Sequence, residues 1–151
     1  DSNDSKIPTW IKNNAGWWSD GTIDDNSFIT GLEYLIENHG VYQALISDIT
    51  WVTEGVKHGG GVAISMRDRG LPRRTYLRKI IELADASGVK YQLEVESSGG
   101  SDGGVLQKSD LPIDWCFIGA AEDNVHTPDE KVFKYDIACM VELFQYLMKH
   151  L

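Results

Sequence analysis

The chain has 151 residues, 42% of them hydrophobic and 25% charged, which is enough for one ordinary core and too little for two large ones. Fourteen Lys and Arg against 23 Asp and Glu leave a formal net charge of −9, which repels nucleic acid and anionic lipid, so neither is expected as a partner. No run approaches the ~18 apolar residues of a membrane helix and no basic-then-apolar start marks a signal peptide, so a soluble chain without a membrane span is expected.

The composition shifts near residue 42. Residues 1–42 hold only Lys6 and Lys12 against Asp1, Asp4, Asp20, Asp24, Asp25, Glu33 and Glu37, so over half of the net charge lies in under a third of the chain. This predicts a separate acidic, Trp-rich helical module at 1–42 before a second domain at 43–151. Pro8 suits a first helical turn, with Trp10, Ile11, Trp17 and Trp18 as candidate apolar anchors. From Asp24 to His39, Phe28, Ile29, Leu32, Leu35 and Ile36 fall at helical spacing, carboxylates crowd the start and Gly40 follows the end, which predicts an amphipathic helix.

Beyond Val41 strands and helices alternate. Ala44–Val52 and Val62–Arg67 read as strands, Arg73–Ser87 as a helix with Leu77, Ile80, Ile81 and Ala84 on one face, and Val89–Glu96 as a strand. A loop from Ser97 to Gly104, a short helical turn, a strand at Ile113–Gly119 and a loop carrying His126 follow. A closing helix is expected from Glu130, with Phe133, Ile137, Met140, Val141, Phe144 and Leu147. The fold class is α/β: a layered β-α-β domain with a largely parallel sheet, preceded by the small helical module. Cys116 and Cys139 lie in apolar patterns without C-x-x-C spacing, so two buried free thiols are expected and a zinc knot is excluded.

Several constellations could carry chemistry. Asp48 sits mid-strand among Leu45, Ile46 and Ile49, where a carboxylate needs a metal or an arginine as partner; the alternative is the exposed face of an edge strand. The run Ser98-Gly99-Gly100-Ser101-Asp102-Gly103-Gly104 joins a strand to a helical turn, where glycines let the backbone approach a ligand, although a plain flexible turn has the same composition. No G-K-[ST] follows it, so it is not a P-loop. His126 could ligate a transition metal or simply face solvent, and Thr127 or Asp129 could cap the closing helix. Asp20-Gly21-Thr22-Ile23-Asp24 imitates the middle of a calcium loop, but Gly16, Trp18 and Ser27 occupy ligand places, so calcium is not expected and helix capping is. No G-x-S-x-G occurs, and none of the four histidines (39, 58, 126 and 150) stands beside a candidate nucleophile.

Taken together, Ser47-Asp48-Ile49-Thr50, Gly55 to Ile64, Gly88-Val89-Lys90-Tyr91-Gln92, Gly99-Gly100-Ser101-Asp102 and His126-Thr127-Pro128-Asp129-Glu130 occur in the order seen in the tetrahedral and glutamyl aminopeptidases, which are cocatalytic zinc peptidases. The resemblance covers about residues 43–151 and only the C-terminal half of that family's catalytic domain. It implies that Asp48 ligates one metal and His126 the other, with zinc or cobalt as the ion, and that Gly99, Gly100, Ser101 and Asp102 border the substrate pocket. The family's His-x-Asp, bridging aspartate and Glu-Glu pair lie upstream of Asp48, where this chain holds the acidic module. With one ligand per metal and no general base, metal binding would be weak and the isolated chain would have little or no peptidase activity. Glu37 and His39 are the candidates to substitute, against their place at the end of a capped helix. A peptide would be a substrate only if the site is completed, by a homo-oligomer or another chain.

Residues 7–40, including Trp10, Trp17 and Trp18, resemble a short module of archaeal secreted and envelope proteins. That implies an extracellular location, whereas the peptidase resemblance implies a cytoplasmic one. The alternative to a peptidase-related domain is a non-catalytic, chimeric structural or interaction protein. In it, Trp10, Trp17, Trp18, Phe28, Leu32 and Leu35 would cover the open face of a half-domain, and Trp17→Asp would unfold the chain.

Overall fold

The structure is a computed structural model describing residues 43–96 and 99–151 and, before them, Trp17 and residues 20–24, 26, 27, 29–31 and 34. The chain divides into two compact units, Asp1–Tyr42 and Gln43–Leu151. In the first unit, residues 26, 27, 29–31 and 34 are helical. Asp24 accepts a 2.7 Å hydrogen bond from Ser27 N–H, and Asp20 accepts from Thr22 N–H at 3.0 Å. These carboxylates serve local turns and a helix start, as the capping reading expects. Trp17 corrects its assignment as an apolar anchor: the side chain is 43% exposed, at a turn where the Trp17 carbonyl accepts from Thr22 and Ile23 N–H. Pro8, Trp10, Ile11, Trp18, Phe28, Leu32, Leu35, Ile36, Glu37 and His39 lie outside the described residues.

The second unit is built on a mixed, mostly parallel sheet of five strands: β1 (Gln43–Trp51), β2 (Val62–Arg67), β3 (Tyr91–Val95), β4 (Asp114–Asp123) and β5 (Lys131–Val132). The order is β1-β4-β2-β3, with β5 on β4. The parallel ladders join β1 to β4 and β2 to β3, while β2 meets β4 antiparallel at Ala63–Gly119 and Ile64–Ile118. Three helices connect or close the sheet: α1 (Arg74–Ser87), α2 (Gly103–Lys108) and α3 (Lys134–His150).

One face of the sheet holds the main core. Tyr76, Leu77, Ile80 and Ala84 of α1 and Cys139, Leu143 and Leu147 of α3 recur at three- and four-residue spacing and pack on Val62, Ile64, Cys116 and Ile118. Both cysteines are free and buried. Gly88 ends α1 in the left-handed conformation (φ 71°), which glycine adopts without strain.

Two boundaries differ from the expectation. β4 runs on to Asp123, and α3 begins at Lys134 rather than Glu130. The Thr127 hydroxyl donates to Asn124 C=O at 2.7 Å, and Asp129 N–H donates to the same hydroxyl at 3.3 Å. Neither side chain therefore caps the closing helix; the Thr127 hydroxyl and the Asp129 backbone shape the turn that lets β5 return along β4. Among the described residues no helix is long and apolar enough to cross a membrane.

Candidate functional site

The other face of the sheet carries a cleft of about 180 Å³. Its walls come from the C-terminal end of β1 (Asp48 to Trp51), the segment after β2 (Asp68), the loop after β3 (Glu96, Gly99, Gly100, Ser101) and the β4 side (Phe117, Val125, His126). The cleft thus draws on the end of β1 and the segment after β3, two strands that run in opposite directions because β2 meets β4 antiparallel. Asp48, His126 and the glycine loop, far apart in sequence, share this one cleft. Asp102 does not line it: this residue stands exposed at the N-cap of α2. Ser98 lies outside the described residues.

Each wall has an identifiable support. Asp68, 3% exposed, accepts from Gly70 N–H at 2.6 Å, from Ser101 N–H at 2.9 Å and from the Ser101 hydroxyl. It thereby holds the glycine loop against the end of β2. Gly99 N–H donates to Glu96 at 3.2 Å. Trp115 backs the loop, because a Cβ on Gly103 would stand 2.2 Å from its ring; only glycine allows α2 to start so close. Gly61, at φ 90°, would place a Cβ 2.1 Å from Lys90 C=O, and the Asp136 carboxylate of α3 accepts from Gly59 and Gly61 N–H at 2.8 and 2.9 Å.

Asp48 is exposed on β1, an edge strand among the described strands, where it lines the cleft and its carboxylate accepts from Ile49 N–H at 2.8 Å. His126 is exposed and sits at φ 65°, and its N–H donates to Glu130. The surroundings are acidic. Burial, then the negative charges of Glu130 and Asp48, raise the Glu122 pKa above its ordinary value. Such a field favours cations and the ammonium end of a peptide over anions.

Sequence reasoning missed Asp68 and the buried Glu94. Asp68 lies between Arg67 and Arg69 and reads as surface charge, while Glu94 lies on the polar side of β3 and reads as solvent-facing. The only available signal was an acid at the end of a strand beside a glycine-rich loop.

With this geometry in view, residues 42–143 match the family described as M42 glutamyl aminopeptidase. The chain belongs to the M42 family. A protein of Acetivibrio thermocellus named as an aminopeptidase is 36% identical over 89 residues, 58% of this chain and 27% of its own length. Among solved structures, the TET aminopeptidase from the marine sediment archaeon Thaumarchaeota archaeon SCGC AB-539-E09 superposes with a TM-score of 0.64 at 21% identity, over 72% of this chain and 32% of that one. The TET1 peptidase of Pyrococcus horikoshii, which can assemble into a tetrahedron or a large octahedral shell, gives 0.62 at 21% identity, over 81% and 37%. At that identity the structural likeness concerns the fold, and the chain spans only about a quarter to a third of the relatives it matches.

A two-metal centre needs several donors around each ion. Among the described residues, no group of three or more His, Cys, Asp or Glu side chains is placed to hold a metal ion. Asp48 and His126 stand in one cleft but do not by themselves make up a closed metal centre.

Proposed function

We propose that this chain is a metallo-aminopeptidase-related domain carrying the C-terminal part of an M42 peptidase site and lacking activity in isolation. In this reading Asp48 and His126 are single ligands to two different zinc or cobalt ions. Gly99, Gly100 and Ser101 border the pocket for a peptide N-terminus, with Asp102 next to it at the start of α2, and Trp51 and Phe117 supply its apolar walls. The observation that carries the reading is the cleft that holds Asp48, His126 and the glycine loop together.

Inactivity follows from the donor count. The resemblance puts the remaining ligands and the general base upstream of Asp48, and catalytic zinc usually keeps about three protein ligands. The domain division at residues 42 and 43 belongs to the same proposal, with 1–42 as an appended module resembling one of archaeal secreted proteins. Of the two locations considered, family membership favours the cytoplasm. Assembly into a homo-oligomer is part of the proposal too, by analogy with the shell-forming TET1 relative.

The test is a zinc titration of the full chain, of Asp48→Asn and of His126→Ala. Weak binding, stripped by mild chelation and lowered further by either substitution, is the expected result. Binding that neither substitution changes would overturn the ligand assignment.

A further inference from the structure

The polar floor behind the cleft is built around a carboxyl that the peptidase reading does not use. Glu94 on β3 is 2% exposed, and one of its oxygens accepts a hydrogen bond from the hydroxyl of Thr50 on β1, itself 2% exposed and part of the cleft wall. β1 and β3 are separated in the sheet by β4 and β2, so this contact reaches over two strands and requires the face to curl inward. The other Glu94 oxygen and the nearby Ser65 hydroxyl are buried without hydrogen-bond partners.

We propose that Glu94 is a positioning residue: through Thr50 it holds the cleft end of β1, with Asp48 and Trp51, at a fixed distance from β3 and the glycine loop that β3 leads into. The arrangement has two anchors. Asp68 holds the loop through Ser101, and Glu94 holds the opposite wall through Thr50. Loss of the Glu94 anchor would free one wall of the cleft while leaving the helix-covered core on the other face intact. The proposal concerns the cleft's shape. It rests on the reading of that cleft as the functional site only for its biological meaning.

Burial raises the Glu94 pKa above its ordinary value, and the negative charges of Glu96 and Asp68 push the same way against the hydrogen bond from Thr50. Ionisation would place a third negative charge beside Asp68 and Glu96 in a dry site.

The test uses the full chain and three variants, Glu94→Gln, Glu94→Leu and Thr50→Val, followed by amide hydrogen exchange across residues 48–52 and 99–101 as a function of pH. Glutamine keeps an acceptor for Thr50 without a charge, leucine removes the acceptor, and valine removes the donor at constant shape. Glu94→Leu and Thr50→Val are expected to speed exchange at 48–52 about tenfold, the worth of one hydrogen bond. Glu94→Gln is expected to stay within about twofold of wild type, since it keeps the acceptor for Thr50. The core helix α3 acts as internal control, with unchanged exchange in all three. Equal loosening in Glu94→Gln and Glu94→Leu, or no change in Thr50→Val, would overturn the proposal. Since none of these readouts involves metal or peptide, failure of the zinc titration leaves this result standing on its own, and the reverse also holds.

Discussion

Asp68 and Glu94 are two buried carboxyls with different surroundings: Asp68 accepts three hydrogen bonds, whereas Glu94 accepts one and faces two other acids. Removing the Asp68 carboxylate strands the Gly70 and Ser101 donors, so Asp68→Ala should cost about 1–3 kcal/mol in urea unfolding, and Asp68→Asn less. For Glu94 the sign is opposite to that of a salt-bridged acid. A folded-state pKa raised above the unfolded value gives stability that is fully present below about 4.5 and is lost as pH climbs through the raised value. Glu94→Gln should therefore raise the melting temperature at pH 8 and leave it nearly unchanged at pH 4; a loss at pH 8 would contradict this. Cys116 makes a third residue-scale case. Burial pushes its thiol up to about 12, so alkylation by iodoacetamide should wait for unfolding. At this scale the sequence was a partial guide. The motif residues Asp48, His126 and Ser101 were legible, but Glu94 was not. Alternation in β3 points Leu93 and Val95 inward, yet Val95 is 66% exposed and Glu94 is buried, because the curled face buries its polar side.

Among the elements, those with strong periodicity were legible. The stretch 74–87 repeats Leu77, Ile80 and Ala84 and ends at Gly88, and the observed helix keeps those limits to within a residue. The start of α3 was misread because Thr127, Asp129 and Glu130 imitate a helix cap, whereas the chain first spends Lys131–Val132 on a short antiparallel pairing with β4. No local pattern announces that pairing; it depends on where β4 lies. The mixed sheet has the same character, since crossover rules predict parallel neighbours and only the assembled order reveals β2 running against β4. Two predictions belong to this scale. Leu143→Ala, at a fully buried position where α3 meets the sheet, should destabilise the domain by about 2–5 kcal/mol in chemical denaturation. Trp17→Asp, at an exposed position of the first unit, should change stability by no more than about 0.5 kcal/mol, in contrast to the unfolding expected from a buried indole.

For the molecule as a whole, M42 membership and the shared cleft give one account: a sheet whose strand ends gather the parts of a peptidase site without enough donors among the described residues to complete it. The five spaced motifs made the family legible from sequence, and three of them, around Asp48, Gly99 and His126, supply walls of one cleft. Donor geometry was not legible, since spacing along the chain does not fix distances across a sheet. The most direct test of this account is elemental analysis of the purified full chain, coupled to an assay on aminoacyl chromogenic substrates with zinc or cobalt added. The account predicts substoichiometric metal and no turnover. Two tightly held metal ions per chain with turnover would contradict it, because donors beyond Asp48 and His126 would then have to complete the centre.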